Sequence, residues 1–181
     1  ENFTSLEEKC IEKLQLFSVC QKLVFNADSD LIPHCMTKAS IRQEQLLPWS
    51  RLDDTCPLYI CKVEKGTEST LITYRYHGED GQYTLPFISE SSIENSLNCL
   101  AVCLHLGVPM QQIAERMAQL EPVAMRMEVK EGRDGCLLIN DSYNSDVNSL
   151  YIALDFMNRR PHPEGRSHTL ILSDMLQTGQ T

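Results

Sequence analysis

No stretch of the chain approaches the roughly 20 consecutive apolar residues that a membrane-spanning helix needs. The longest apolar run, Cys99–Leu106, is already broken by His105. The opening Glu1-Asn2-Phe3-Thr4 has none of the basic-then-apolar order of a secretory leader. Together these set the expectation of a cytoplasmic chain with no membrane insertion. Positive charge is scarce: 16 Lys and Arg stand against 25 Asp and Glu, a formal net charge of −9. An acidic chain repels a phosphate backbone, so nucleic-acid binding driven by counterion release is excluded as the main activity. A nucleotide is still compatible, because a helix N-terminus or a metal ion can hold phosphate locally. There is no Cys-x-x-Cys pair among the eight cysteines, which leaves a structural zinc site without its usual spacing. Reduced thiols are then the default, with Cys99 and Cys103 read as small core residues. Cys35 beside His34 is not a nucleophile–base pair by spacing, since adjacent side chains point apart.

What is present is an ordinary globular composition, 42% hydrophobic and 23% charged, patterned in two parts. Thr4-Ser5-Leu6-Glu7-Glu8 has the makings of a helix start, and Cys10, Ile11, Leu14 and Phe17 follow at helical spacing. About 14 helical residues are expected there, then a short buried strand at Leu23-Val24-Phe25. Between Leu46 and Phe87 the pattern turns to β. Leu58–Cys61, Leu71–Tyr76 and Tyr83–Pro86, separated by Lys65-Gly66 and Gly78–Gly81, predict a small antiparallel meander. Ser91-Ser92-Ile93-Glu94 is expected to cap a second helix ending at Gly107, and Pro109 to open a third ending near Leu120. A domain boundary falls at about residues 121–126. Beyond it, strands at Met127–Val129 and Cys136–Asn140, a helix carrying Val147, Leu150, Ala153, Leu154 and Met157, and a strand at His168–Leu172 predict a βαβ unit with a right-handed crossover.

In open α/β sheets ligands bind at the carboxyl ends of the strands. Asn140-Asp141-Ser142-Tyr143-Asn144 and Ser173-Asp174 both fall at such ends. They suit ribose hydroxyls or a phosphate, and equally suit turning the chain and capping a helix. Asn95 and Asn98 sit three apart at the start of a helix, where asparagine is a mediocre helix former. An amide can read the adenine edge through N6 and N7, or it can serve as a cap facing water. Lys13, taken alone, is a solvated helix lysine.

These clusters coincide with a family pattern. Leu138-Ile139-Asn140-Asp141-Ser142-Tyr143-Asn144 resembles the D-(D/S)-x-Y-N-A-N-P motif of the Mur ligases. Asn2-Phe3-Thr4-Ser5-Leu6-Glu7 with Glu12-Lys13-Leu14 is similar to the segment that follows the Mg-binding region of their central domain. Glu94-Asn95-Ser96-Leu97-Asn98 is similar to H-N-x-x-N, Glu121–Glu128 to E-P-V-x-G-R-M-E, and Leu172–Gly179 to L-G-D-M-L-E-L-G. The matches keep the family's order along nearly the whole chain. Within the family, the branch that joins D-alanyl-D-alanine to UDP-N-acetylmuramoyl-tripeptide is the best fit, because Tyr143-Asn144 stands where sister enzymes tend to carry Lys or Ala-His.

The resemblance implies an α/β protein in two pieces. Residues 1–122 would be the later part of a central ATP-binding domain with its small antiparallel meander, and residues 123–181 the start of a Rossmann-like C-terminal domain. It implies ATP and Mg²⁺ as cofactors, and peptide-bond formation through an acyl phosphate. By position, Lys13 matches a lysine that can be carbamylated to ligate Mg²⁺. Asn98 and Asn95 match adenine contacts, Arg126 and Asp141 match groups holding the ATP ribose and phosphates, and Tyr143 and Asn144 match the loop presented to nucleotide and substrate. In some lineages such ligases are fused to an alanine racemase domain. The chain departs from the pattern at Glu94, where His is usual, at Met125, where Gly is usual, and at Ser145-Asp146-Val147, where Ala-Asn-Pro is usual. No G-x-x-G-K-[ST] loop occurs in the 181 residues, so these residues alone are expected to be inactive. A sister Mur or folylpolyglutamate-type ligase, and a non-catalytic ligase-like scaffold, are the competing expectations.

Overall fold

The computed structural model describes residues 3–121, 127–143, 147–160 and 167–172. The chain divides into two compact units, Asn2–Leu120 and Glu121–Thr181.

The first unit opens with α1, Leu6–Gln15. The Ser5 hydroxyl accepts the Glu8 N–H at 3.1 Å, and the Glu8 carboxylate reaches back to the Thr4 N–H and hydroxyl at 2.8 and 2.6 Å. This exchange satisfies donors that the first helical turn leaves open. The helix stops sooner than expected, because residues 16–18 tighten into i→i−3 turns. Strand β1 (Leu23–Asn26) pairs in parallel with β2 (Leu46–Ser50), and the crossover between them carries a helix, α2 (Leu31–Lys38).

Strands β3 (Leu58–Lys65), β4 (Thr70–Tyr76) and β5 (Glu79–Leu85) form the expected antiparallel meander. They complete one five-stranded sheet of order β1-β2-β3-β4-β5. The β2–β3 pair is also parallel, yet only seven residues, 51–57, connect the two strands. A longer crossover is the rule for parallel neighbours. Here Trp49 and Ser50, the end of β2, face Leu58 and Tyr59, the start of β3, so the chain has little distance to run back.

Helix α3 (Glu90–His105) covers the sheet with Ile93, Leu97, Leu100, Ala101 and Leu104. These pack with Trp49, Leu58, Ile60, Ile72, Tyr74 and Leu85 into one core. Each fully buried side chain of this size contributes about 1.5–3 kcal/mol. The cap of α3 is Ser89, two residues earlier than expected: its hydroxyl accepts the Ser92 N–H at 3.2 Å. Gly107, at φ +74°, turns the chain out of the helix into α4 (Met110–Met117), which adds Ile113 and Met117 to the same core.

In the second unit, β6 (Glu128–Glu131) and β7 (Leu137–Asn140) form an antiparallel hairpin whose turn places Asp134 and Gly135 at positive φ. Helix α5 runs Val147–Arg159. The expected strand at His168–Leu172 is absent: residues 167–172 run without strand pairing, and β7 pairs with β6 alone among the described residues. A strand is held by its ladder, and this apolar run, with Ile171 exposed, has none there. The βαβ arrangement instead appears in the first unit, as β1–α2–β2. Ser173 and Asp174 lie outside the described residues.

Candidate functional site

The carboxyl ends of β1 and β2 lie side by side, and the residues leaving them form a hydrogen-bonded knot. Asp28 accepts the Ser50 hydroxyl on one oxygen and the Arg51 N–H, at 2.7 Å, on the other. The Ser50 hydroxyl oxygen in turn accepts the N–H groups of Leu52 and Asp53 at 3.0 and 2.8 Å. The Arg51 guanidinium donates to Glu90 in the first turn of α3, and Lys65 Nζ donates to the other Glu90 oxygen at 2.8 Å. The Lys65 hydrogen bond, helped by Arg51, holds the Glu90 carboxyl below the usual carboxylate range. The buried Nε of Arg51 has no hydrogen-bond partner among the described residues.

Two turns further along α3, the fully buried Trp49 donates its indole N–H to Asn98 Oδ1 at 2.8 Å. Asn98 is half-buried and Asn95, three residues before it, is exposed. Between them Ser96 is buried, bonded to the Tyr83 hydroxyl at 2.7 Å and donating to the Ile93 carbonyl. Burial raises the Tyr83 hydroxyl pKa strongly, which keeps it a neutral partner. The α3 site therefore offers amides and a fixed backbone, and no nucleophile.

Three cysteines are made poorer nucleophiles by their surroundings. Burial pushes the Cys10 thiol up to about 11 and raises Cys56 and Cys99 as well. Cys35 is buried with its sulfur toward the Glu7 carbonyl at 3.9 Å, while His34 faces the Glu7 carboxylate at 3.4 Å. The two neighbours meet different groups of Glu7 and not each other.

Lys13 lies in the last turn of α1, exposed, at the helix end that favours positive charge. In the second unit Asp141 follows β7 and accepts the Met127 N–H at 2.9 Å, holding the residue just before β6 at φ +49°. Asn140 accepts the Ser142 N–H and hydroxyl at 3.3 and 2.8 Å, so this stretch does shape the turn after β7. Tyr143 is exposed, and Arg126 and Asn144 lie outside the described residues. Among the described residues no three His, Cys, Asp or Glu side chains converge as a metal site. No helix among them is long and apolar enough to cross a membrane.

The sequence singles out Asn95, Asn98 and Asp141 as candidates but gives no sign of the knot of Asp28, Ser50 and Arg51, or of the bond from Trp49. The available signal was Asn26-Ala27-Asp28 at the carboxyl end of a strand, where ligands bind in open α/β sheets.

No family model matches the chain. The UDP-N-acetylmuramoyl-tripeptide–D-alanyl-D-alanine ligase of Bacillus subtilis is 25% identical over 121 residues, 66% of this chain and 25% of that ligase. The UDP-N-acetylmuramoyl-L-alanyl-D-glutamate–2,6-diaminopimelate ligase of Ralstonia nicotianae is 37% identical over 71 residues, 38% of this chain and 14% of that ligase. Among solved structures, MurF ligase from Thermotoga maritima in complex with ADP superposes with a TM-score of 0.64 at 17% identity, covering 89% of this chain and 36% of that one. The chain spans about a quarter of the length of the Bacillus ligase. The chain shares its fold with the Thermotoga protein, and over part of its length it is similar in sequence to Mur ligases.

Proposed function

We propose that the chain is part of an ATP-dependent ligase that joins D-alanyl-D-alanine to UDP-N-acetylmuramoyl-tripeptide in the cytoplasm, a step in making peptidoglycan precursors. The observation that carries this reading is the 25% identity over 121 residues to a ligase of that name. Eight free cysteines suit a reducing compartment. On this reading residues 1–122 belong to the central ATP-binding domain and residues 123–181 to the C-terminal domain. The tripeptide carboxylate attacks the γ-phosphorus of ATP, an O–P bond forms, and ADP leaves. The dipeptide amine then adds to the acyl carbon, loses its proton, and phosphate leaves from the tetrahedral intermediate.

Asn98 and Asn95 are the proposed adenine contacts, consistent with amides in the middle of a helix held by the sheet. Arg126 and Asp141 are proposed for the ribose and phosphates, Tyr143 and Asn144 for the substrate-facing loop. Asp141 already uses one oxygen on the Met127 N–H and keeps the other available for a hydroxyl. Mg²⁺ takes about six oxygen ligands. Lys13 as a carbamate would supply one of them, and the described residues hold no cluster to complete the set. The racemase fusion has no support in the comparisons and is not part of the proposal.

The deciding experiment measures ADP release by the complete gene product with ATP, Mg²⁺ and UDP-N-acetylmuramoyl-tripeptide, with and without D-alanyl-D-alanine. Release that depends on the dipeptide is the expected result, with none from residues 1–181 alone. Release that depends on diaminopimelate instead, with the dipeptide precursor as acceptor, favours the sister ligase suggested by the 37% match. Release that depends on glutamate points to a folylpolyglutamate-type enzyme. A folded product releasing no ADP with any of these is a scaffold.

A further inference from the structure

Trp49 is the chain's one tryptophan, and it is fully buried at the carboxyl end of β2. An indole N–H is a donor only, and a buried donor needs an acceptor. Its acceptor is Asn98 Oδ1 on α3, at 2.8 Å. An amide can turn over and exchange its oxygen and nitrogen. Opposite a donor-only group the turned form sets N–H against N–H, so Trp49 admits one orientation. With its oxygen held by the indole, Asn98, which is half-buried, keeps its nitrogen for another partner.

We infer that Trp49 is a positioning residue for base recognition: it locks the Asn98 amide so that one fixed donor–acceptor edge meets a purine of adenine's pattern. The inference rests on the proposal that Asn98 contacts the base of ATP. In the locked orientation the amide nitrogen donates to N7, and the second lone pair of its oxygen accepts from the N6 amino group. Guanine places O6 where adenine has N6, which sets acceptor against acceptor. A sheet residue with no contact to the nucleotide thereby helps to choose it.

A purely structural role needs only an acceptor at position 98, and this separates the two explanations. Asn98→Asp keeps an oxygen for the Trp49 N–H and removes the outward donor. Trp49→Phe keeps a buried ring and removes the lock. Calorimetric affinities for ATP and GTP are measured on the complete gene product, with thermal unfolding as the control for folding. Asn98→Asp is expected to stay folded and weaken ATP binding roughly 5- to 100-fold, the span a bidentate base contact covers. Trp49→Phe is expected to lower the preference for ATP over GTP by about threefold or more, a shift that loss of packing alone does not produce. ATP binding by Asn98→Asp as tight as wild type overturns the inference, and so does an unchanged ATP-to-GTP ratio in a folded Trp49→Phe. Where these losses appear in a protein that ligates nothing, the ligase reading fails and the inference stands. Where ligation proceeds and both variants bind like wild type, the reverse holds. Wild-type protein that binds no ATP sinks both.

Discussion

Gln45 occupies a position where an apolar side chain would leave backbone groups stranded. It is 1% exposed, and its Nε2 reaches the carbonyls of Phe17, Ser18 and Cys20 at 3.3, 3.3 and 2.6 Å. Those carbonyls lie past the end of α1; the Phe17 carbonyl also accepts the Cys20 N–H at 3.1 Å, and the Ser18 and Cys20 carbonyls depend on Gln45. Its Oε1 accepts the Arg42 N–H at 2.9 Å. Gln45→Leu should therefore destabilise the fold by about 1–3 kcal/mol despite its similar size, because buried acceptors lose their donor. Urea unfolding checks this, and a variant as stable as wild type would show that water fills the role. In the sequence, Gln43-Glu44-Gln45 reads as a polar surface stretch. Its burial depends on partners 25 to 28 residues away, which no local pattern encodes. Asp28 and Ser50 were hidden for the same reason: they are polar residues whose roles exist only once β1 and β2 lie side by side.

Helix α3 is fastened at its start from two sides, by Arg51 after β2 and Lys65 at the end of β3, both on Glu90. The Glu90 pKa is lowered below its ordinary value near 4.5, so its contribution is present above that value. It is lost as pH falls through the depressed folded-state value. Glu90→Gln should thus cost a little stability at neutral pH, under about 1 kcal/mol for a partly exposed pair. The cost should shrink as pH falls below 4.5 and vanish once Glu90 is protonated in the folded state as well. Thermal unfolding of both proteins across that range tests the sign; a difference that grows in acid rejects the assignment. Elements with strong periodicity, such as α3 and the β3–β5 meander, were legible in advance. Helix α2 was not. It has only eight residues and contains Pro33, tolerated because it sits in the first turn where its missing N–H is not needed. Packing of Cys35 and Met36 with Leu14 and Leu23 holds it, not propensity. His168–Leu172 goes the other way: its apolar run predicts a strand, but pairing makes a strand, and among the described residues β7 pairs with β6 alone.

At the scale of the whole molecule, the likeness to Mur ligases could be read from ordered motifs, whereas the geometry of the proposed site could not. Asn95, Asn98 and Lys13 belong to the first compact unit and Asp141 and Tyr143 to the second. Motif order names the residues of such a site without giving the geometry that unites them. Lys13 makes the sharpest case, since an exposed helix lysine carries no local mark of function. Its proposed role needs a carbamate, in which the amine nitrogen bonds to carbon dioxide and loses a proton, turning a cation into an oxygen ligand. Lys13→Ala in the complete gene product should then lower dipeptide-dependent ADP release by at least about 10–100-fold, the range seen when even outer partners of a metal site are lost. Lys13→Arg should fail equally, because guanidinium keeps its charge and cannot form the carbamate. Acetate or another short carboxylate should restore part of the activity to Lys13→Ala, whose cavity admits it, by supplying the missing oxygens. Full activity in Lys13→Ala, or activity retained by Lys13→Arg, would return Lys13 to the solvated surface, where charge alone accounts for it.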